Sequence, residues 1–427
     1  MTNRKLRMVL NLILALWFLV APSTYGGHLS LAQSTTSQTT PSDGITVVES
    51  TVNHNFAQQI IFTLQATSDV EITQIYLSFQ AAGEEHTESV SVDIKSPARE
   101  INASYMHDLR RFPLPPFATV TFWWNIEDAT GDKLTTRSNP QQFEYTDNRF
   151  QWEALNDNRV TVHWSKDHGD LIFGQAALDI ALASVDEINA ELRAPVPESI
   201  DVYIYNTQPN LDAAMGLTGR EWVVGQAHPE LDVIIVAIPF KANEGYMGRM
   251  KRYIPHEITH LLVYQTATSA GYRYVPEWLD EGLATANEQL PTIEHTLVLE
   301  QARTQGQLLP LKDLCVPFSP NPQTAFLAYA QSGSVVKFIR ERYGARGIRD
   351  LLTAYKNGAS CAGGVQEALD VSLSGLETAW QASLEPKAPW RAVVEQASVW
   401  VGLWLLSILL AAPMIGGGLR RRRSTNA

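Results

Sequence analysis

From Ile45 to about Asp147, apolar and polar residues alternate in short runs. Gln59-Ile60-Ile61-Phe62-Thr63-Leu64, Ile75-Tyr76-Leu77-Ser78-Phe79 and Ala118-Thr119-Val120-Thr121-Phe122-Trp123-Trp124 carry the period-two pattern of strands with one buried face. Ala82-Gly83 and Thr130-Gly131-Asp132 break them. The pattern predicts an antiparallel β-sandwich over 44–148, immunoglobulin- or fibronectin-like in outline. It holds no chemical constellation, so it reads as a spacer or binding module. After Phe150 the pattern changes. Strands are expected at 160–164, 199–205 and 231–238, with an alanine-rich helix at 172–192. From Tyr246 onward the period is helical, over 246–266, 276–288, 291–304, 323–343, 346–356 and 363–384. Strands followed by helices predict an α+β domain over 149–385. No internal repeat is visible.

The two ends differ from this body. Arg4, Lys5 and Arg7 precede an apolar run from Met8 to Pro22, and Ser30-Leu31-Ala32 is a small-x-small site. Residues 1–32 therefore read as a secretory signal peptide, with an uncleaved anchor disfavoured by the short apolar core. Residues 33–43, rich in Ser, Thr and Gln, form a linker. At the other end, Ala397 to Leu419 carries no charge. As a helix it would reach about 34 Å, enough for a hydrocarbon core of about 30 Å. Trp400 and Trp404 fall near one end and Arg420 to Arg423 follow the other. Tryptophan favours the headgroup layer and arginine the cytoplasmic side. These features predict a linker at 386–396, a single transmembrane helix at 397–419 and a cytoplasmic tail at 420–427. The body is then extracytoplasmic and anchored in the cell membrane.

Charge supports that division. The 427-residue chain has a formal charge of −12, with 45% hydrophobic and 18% charged residues, which excludes a disordered chain or a general nucleic-acid binder. Seven of the 33 basic residues lie in the two end segments, which hold no acid, so the remaining 26 face all 45 acidic residues. The two cysteines, Cys315 and Cys361, both fall in the body. Outside the cytoplasm they can form a disulfide, the alternative being two buried thiols. Nothing indicates the oligomeric state.

His256-Glu257-Ile258-Thr259-His260 carries the chemistry. On a helix, residues four apart share a face, so both imidazoles can reach one metal ion, with Glu257 placed to take a proton from water. Pro255 either opens this helix or, if the helix starts near Met247, interrupts it. The next predicted helix, Pro276-Glu277-Trp278-Leu279-Asp280-Glu281-Gly282-Leu283-Ala284, offers a third ligand. Glu281 and Glu277 lie one turn apart on one face and compete for that role; Glu277 also suits a helix N-terminus. Asp280 could orient a ligand histidine, although a solvated acid is the plainer reading. Two histidines and a glutamate are a zinc set that leaves a position for water.

HEITH followed by PEWLDEGLA resembles the gluzincin zinc metallopeptidases, and among them the bacterial peptidase MA-like proteins similar to the catalytic domain of aminopeptidase N. The resemblance covers about residues 150–385. It implies a zincin-like domain, one Zn²⁺ per chain held by His256, His260 and Glu281, and Glu257 as general base. It also places a tyrosine on a downstream helix facing the metal, which makes Tyr329 the candidate for steadying the oxyanion; the alternative is a tyrosine that only packs its helix. The loop before Glu281 is two residues longer than in the aminopeptidases. The Gly-Ala-Met-Glu-Asn element that reads a free amino terminus there is absent from this chain. Aminopeptidase specificity therefore does not carry over.

The leading expectation is a membrane-anchored extracytoplasmic zinc metallopeptidase acting on a peptide or protein, with no nucleic-acid partner. The alternatives are a catalytically silent metal-containing binding protein and a zinc hydrolase of a non-peptide amide or ester. The strand at 231–238 could add an extended substrate at its edge, or be a central core strand.

Overall fold

The structure is a computed structural model that describes residues 44–129, 136–215, 224–240, 245–290 and 292–385. The expected signal peptide, both linkers, the span at 397–419 and the tail lie outside the described residues. Among the described residues, no helix is long and apolar enough to cross a membrane. The described residues divide into two compact units, one within 44–182 and 197–250, the other within 183–196 and 251–385.

The first unit begins with seven strands: β1 (Ile45–Asn55), β2 (Gln59–Ala81), β3 (Glu88–Val92), β4 (Ala98–Asp108), β5 (Thr119–Asp128), β6 (Thr136–Arg137) and β7 (Gln141–Glu144). The 23-residue β2 organises them. Its first part, Gln59–Thr67, pairs antiparallel with β1 and β4, and its second part, Ile72–Ala81, with β3 and β5. Register shifts between Thr67 and Gln74 mark a bend. The bend is large. Phe62 and Phe79 would stand about 56 Å apart on a straight strand, yet their rings stack at 5.5 Å. The two halves of β2 therefore lie in facing layers, with Phe62, Leu64, Leu77, Phe79, Phe122 and Trp124 in the apolar core between them. Trp124 also donates from its indole N–H to Ser50 Oγ across that core at 3.0 Å. All seven strands belong to one hydrogen-bonded sheet, where the expected sandwich would have two.

A second sheet follows, built from β8 (Trp152–Asp157), β9 (Val160–Ser165), β10 (Ile200–Tyr205), β11 (Gly225–His228) and β12 (Val233–Ala237), in the order β11-β12-β10-β9-β8. β9, β10 and β12 are parallel, and the two outer strands run antiparallel to their neighbours. Helix α1 (Leu171–Leu192) makes the crossover between β9 and β10, its start capped where Asp170 accepts from the Phe173 N–H at 2.8 Å. Short α2 (Gln208–Met215) follows β10. The periodicity did not reveal β8, α2 or β11, which are too short or too polar to carry one. The expected strand at 231–238 is β12, hydrogen-bonded on both sides. It is a core strand with no free edge for an extended substrate to pair with, the second of the two readings of this segment.

The second unit is helical, with α3 (Tyr246–Tyr272) entering it, then α4 (Glu277–Asn287), α5 (Ile293–Gln305), a short 3-10 helix (Leu311–Leu314), α6 (Pro322–Lys356), α7 (Cys361–Leu369) and α8 (Leu373–Ser383). α3 leaves helical geometry at Thr268, close to the expected end at 266, and α6 does so at Gly344, which separates the two helices expected there. The single helix expected at 363–384 is instead two, divided at Asp370, which adopts a left-handed backbone, and Ser372, which caps α8. Cys315 and Cys361 form a disulfide with Cα atoms 6.0 Å apart, tying the end of the 3-10 helix to the start of α7.

Candidate metal centre

Ile254, Ile258, Leu261 and Leu262 are completely buried and fix which way α3 faces. That leaves His256 and His260, one turn apart, side by side with ring centroids 5.1 Å apart. Pro255 is interior to α3, not its first residue, because the helix begins at Tyr246. α4 packs along α6 at a close approach that requires a glycine. A Cβ on Gly282 would lie 2.7 Å from the Ser332 carbonyl oxygen. This approach places Glu281, the residue before Gly282, between the two histidines and Tyr329.

His256, His260 and Glu281 each direct one ligand atom so that all three lie within 4.8 Å of one another. Glu281 Oε2 stands 3.3 Å from His256 Nε2 and 3.5 Å from His260 Nε2. Donors bound to zinc at about 2.0–2.1 Å in a tetrahedron are separated by about 3.3–3.4 Å. Glu281 Oε2 is also buried without a hydrogen-bond partner despite those two neighbours. A buried oxygen left orphaned beside two ring nitrogens, at tetrahedral ligand spacing, is what a metal ion between them accounts for. The donor set therefore fits zinc. Glu277, the rival ligand, opens α4 and is not part of this group.

The outer nitrogens of both rings face carboxylates. His260 Nδ1 lies 3.1 Å from Asp280 Oδ1, and His256 Nδ1 lies 3.4 Å from Glu288 Oε1. Such contacts fix the tautomer and leave Nε2 free as a ligand. Asp280 is thus not a solvated acid. Its other oxygen accepts from the Tyr272 hydroxyl at 2.6 Å, holding it against the end of α3. Glu288 went unnoticed in the sequence, although it lies seven residues past Glu281, two turns along one helix direction. The Tyr329 hydroxyl donates to Glu281 Oε1 at 3.3 Å, and its ring meets Phe318 edge-on at 5.2 Å.

Burial and opposite charges set the protonation of these groups. Burial would lower His256, but Glu281, Glu288 and the charge of Glu257 outweigh it and push it up to about 9. Burial likewise opposes the charge on His260, yet Asp280 and Glu281 hold it well above the usual imidazole range. Burial would raise Glu281, but the two histidines hold it well below the usual carboxylate range. Glu257 is only 5% exposed, and burial raises its carboxyl against the pull of His256 and His260. Burial, with Glu281 and Asp280, pushes Glu277 up to about 7.

Residues 180–386 match the family model of the Peptidase MA superfamily. No curated protein matches the chain. Among solved structures, an M1 zinc metallopeptidase from Deinococcus radiodurans is 12% identical, with 78% of this chain and 91% of that one covered at a TM-score of 0.38. A mutant of that enzyme bound to a Tyr-Ser-Ala substrate is also 12% identical, with 76% and 90% covered at 0.37. A structure described as a myokine is 15% identical and covers 23% of this chain and 95% of its own, at 0.19. The match to the Peptidase MA superfamily spans residues 180–386, just under half of the chain, and includes the HEITH and PEWLDEGLA segments.

Proposed function

We propose that the protein is a zinc metallopeptidase that hydrolyses peptide bonds outside the cytoplasm, anchored in the cell membrane by residues 397–419 after removal of residues 1–32. In this reading the sandwich spans 44–148, the peptidase domain 149–385 and the cytoplasmic tail 420–427. His256, His260 and Glu281 hold one Zn²⁺ per chain. The observation that carries the reading is the orphaned Glu281 Oε2, 3.3 and 3.5 Å from the two Nε2 atoms.

Zinc held there supplies Lewis acidity, polarising the scissile carbonyl and making water more acidic. The Glu257 carboxylate takes the proton of the attacking water and then returns it to the leaving nitrogen, so it is regenerated in each cycle. Tyr329, with its phenol beside Glu281, turns its O–H toward the developing oxyanion and stabilises it by a hydrogen bond. Asp280 and Glu288 keep the two imidazoles in the tautomer and orientation that ligation needs.

The test is cleavage of a mixed peptide library by the zinc-loaded full chain in detergent, beside Glu257→Gln. Cleavage by the wild type alone, with one zinc in each protein, is the expected result, and the cut sites then define specificity. Zinc binding without cleavage would favour a silent binder or a hydrolase of another bond. Equal cleavage by both proteins would remove Glu257 from the chemistry.

A further inference from the structure

Pro255 stands inside the helix that carries both histidines, immediately before His256. Because proline has no N–H, the carbonyl four residues earlier, that of Lys251, loses its helical partner. This carbonyl does not go unpaired: the backbone N–H of Gln289, just past the end of α4, donates to it at 2.9 Å. We propose that the carbonyl freed by Pro255 is the docking point for the segment 287–289, and that this docking, together with Arg252, positions His256 for metal. The inference rests on the metal site proposed above.

The docking has a second latch on the other side of Glu288. Asn287 Nδ2 donates to Thr259 Oγ1 at 3.1 Å, and the same hydroxyl donates to the Pro255 carbonyl oxygen at 2.7 Å. Asn287 is itself held from α6, where Arg340 donates to Asn287 Oδ1 at 2.7 Å while forming an ion pair with Glu191. Residues 287 and 289 are therefore both fastened along α3, and the residue between them has little freedom. That residue is Glu288, whose side chain is only 6% exposed and whose Oε1 faces His256 Nδ1.

Arg252 completes the arrangement. It lies one turn before His256 on the same helix face, and its Nε stands 3.7 Å from Glu288 Oε2. Both atoms are buried and neither has a hydrogen-bond partner. The guanidinium offsets the cost of burying the Glu288 carboxylate and faces Oε2, while Oε1 faces His256. An ionised carboxylate only accepts, so His256 must present Nδ1–H to it and keep Nε2 for the metal. The proline thus ensures that the ligand helix has a vacant acceptor at the point where the second helix must attach.

The experiment measures zinc affinity of the full chain by chelator competition, with the cobalt absorption spectrum as a second readout. Pro255→Ala restores an N–H that donates to the Lys251 carbonyl within the helix and displaces Gln289. Removing a helix-interior proline favours the helix itself. The expected variant therefore melts no lower than the wild type while binding zinc about tenfold more weakly. Arg252→Ala should also weaken zinc about tenfold and alter the cobalt spectrum, with Arg252→Lys restoring part of the affinity. The Arg252 pair decides the matter should Pro255→Ala fail to fold. If the wild type binds zinc and both alanine variants bind it equally tightly, the positioning role is overturned. A wild type without zinc affinity removes the metal reading, and this inference with it.

Discussion

The Tyr329 hydroxyl donates to Glu281 Oε1, while Oε2 of the same carboxylate faces both imidazole Nε2 atoms. One carboxylate thus links the proposed ligand set to the proposed oxyanion donor. Burial and the nearby Glu281, Glu277 and Glu257 all raise the phenol, so it remains a proton donor across the working pH range. Tyr329→Phe should keep one zinc per chain and lower kcat about 10²- to 10³-fold. Zinc content and turnover at saturating zinc check this. If weakened zinc binding accounts for the whole loss, Tyr329 serves only to hold Glu281.

The two glutamates of α4 should separate cleanly. Glu281→Ala removes an oxygen that faces both ring nitrogens, and zinc affinity should fall by at least two orders of magnitude, about 3 kcal/mol or more. Glu277→Ala should leave affinity within a few-fold. Titration of both variants with zinc under chelator competition decides between them, and an equal loss would make Glu277 a ligand as well.

Zinc binding should release protons at neutral pH. A metal-free His256 raised to about 9, with His260 also raised, keeps both imidazoles protonated at pH 7.5, whereas ligation needs them neutral. The sign follows: apparent zinc affinity rises with pH and levels off only above about 9. Two ordinary histidines, with pKa near 6.5, would release almost no protons at pH 7.5. Calorimetry in buffers of different ionisation enthalpy should find more than one proton released per zinc.

Gly282→Ala tests the packing that brings α4 to α6. The added methyl would lie 2.7 Å from the Ser332 carbonyl oxygen and 2.8 Å from Val336 Cγ2. Backbone cannot yield as a flexible side chain can, so unfolding free energy should drop by about 1–3 kcal/mol. Because Glu281 adjoins Gly282 and Tyr329 lies one turn before Ser332 on α6, turnover should fall with it. Denaturant unfolding and activity on one preparation measure both.

What the amino-acid order determined by itself was local. The period-two runs of Phe62, Leu77 and Trp124 announced a half-buried sheet, and the helical period after Tyr246 located α3, α4 and the break between the halves of α6. The spacing of His256, Glu257 and His260 needs only 3.6 residues per turn to bring two imidazoles onto one face. The compartment reading from the chain ends predicted a disulfide, and Cys315 and Cys361 form one.

Tertiary structure decided whatever depends on groups distant in sequence. No periodicity shows that β2 folds back so that Phe62 meets Phe79, because the bend arises from register shifts over a few polar residues. Asp280 read as a solvated acid until the end of α3 brought Tyr272 onto it. Pro255 read as a possible break until Gln289 took the carbonyl it frees, and Glu288 acquired meaning only through that contact. The physical reason is common to all of them. Backbone geometry and burial repeat along the chain and can be read from it, whereas a buried polar group must find its partner wherever packing brings one, and that partner leaves no period in the sequence.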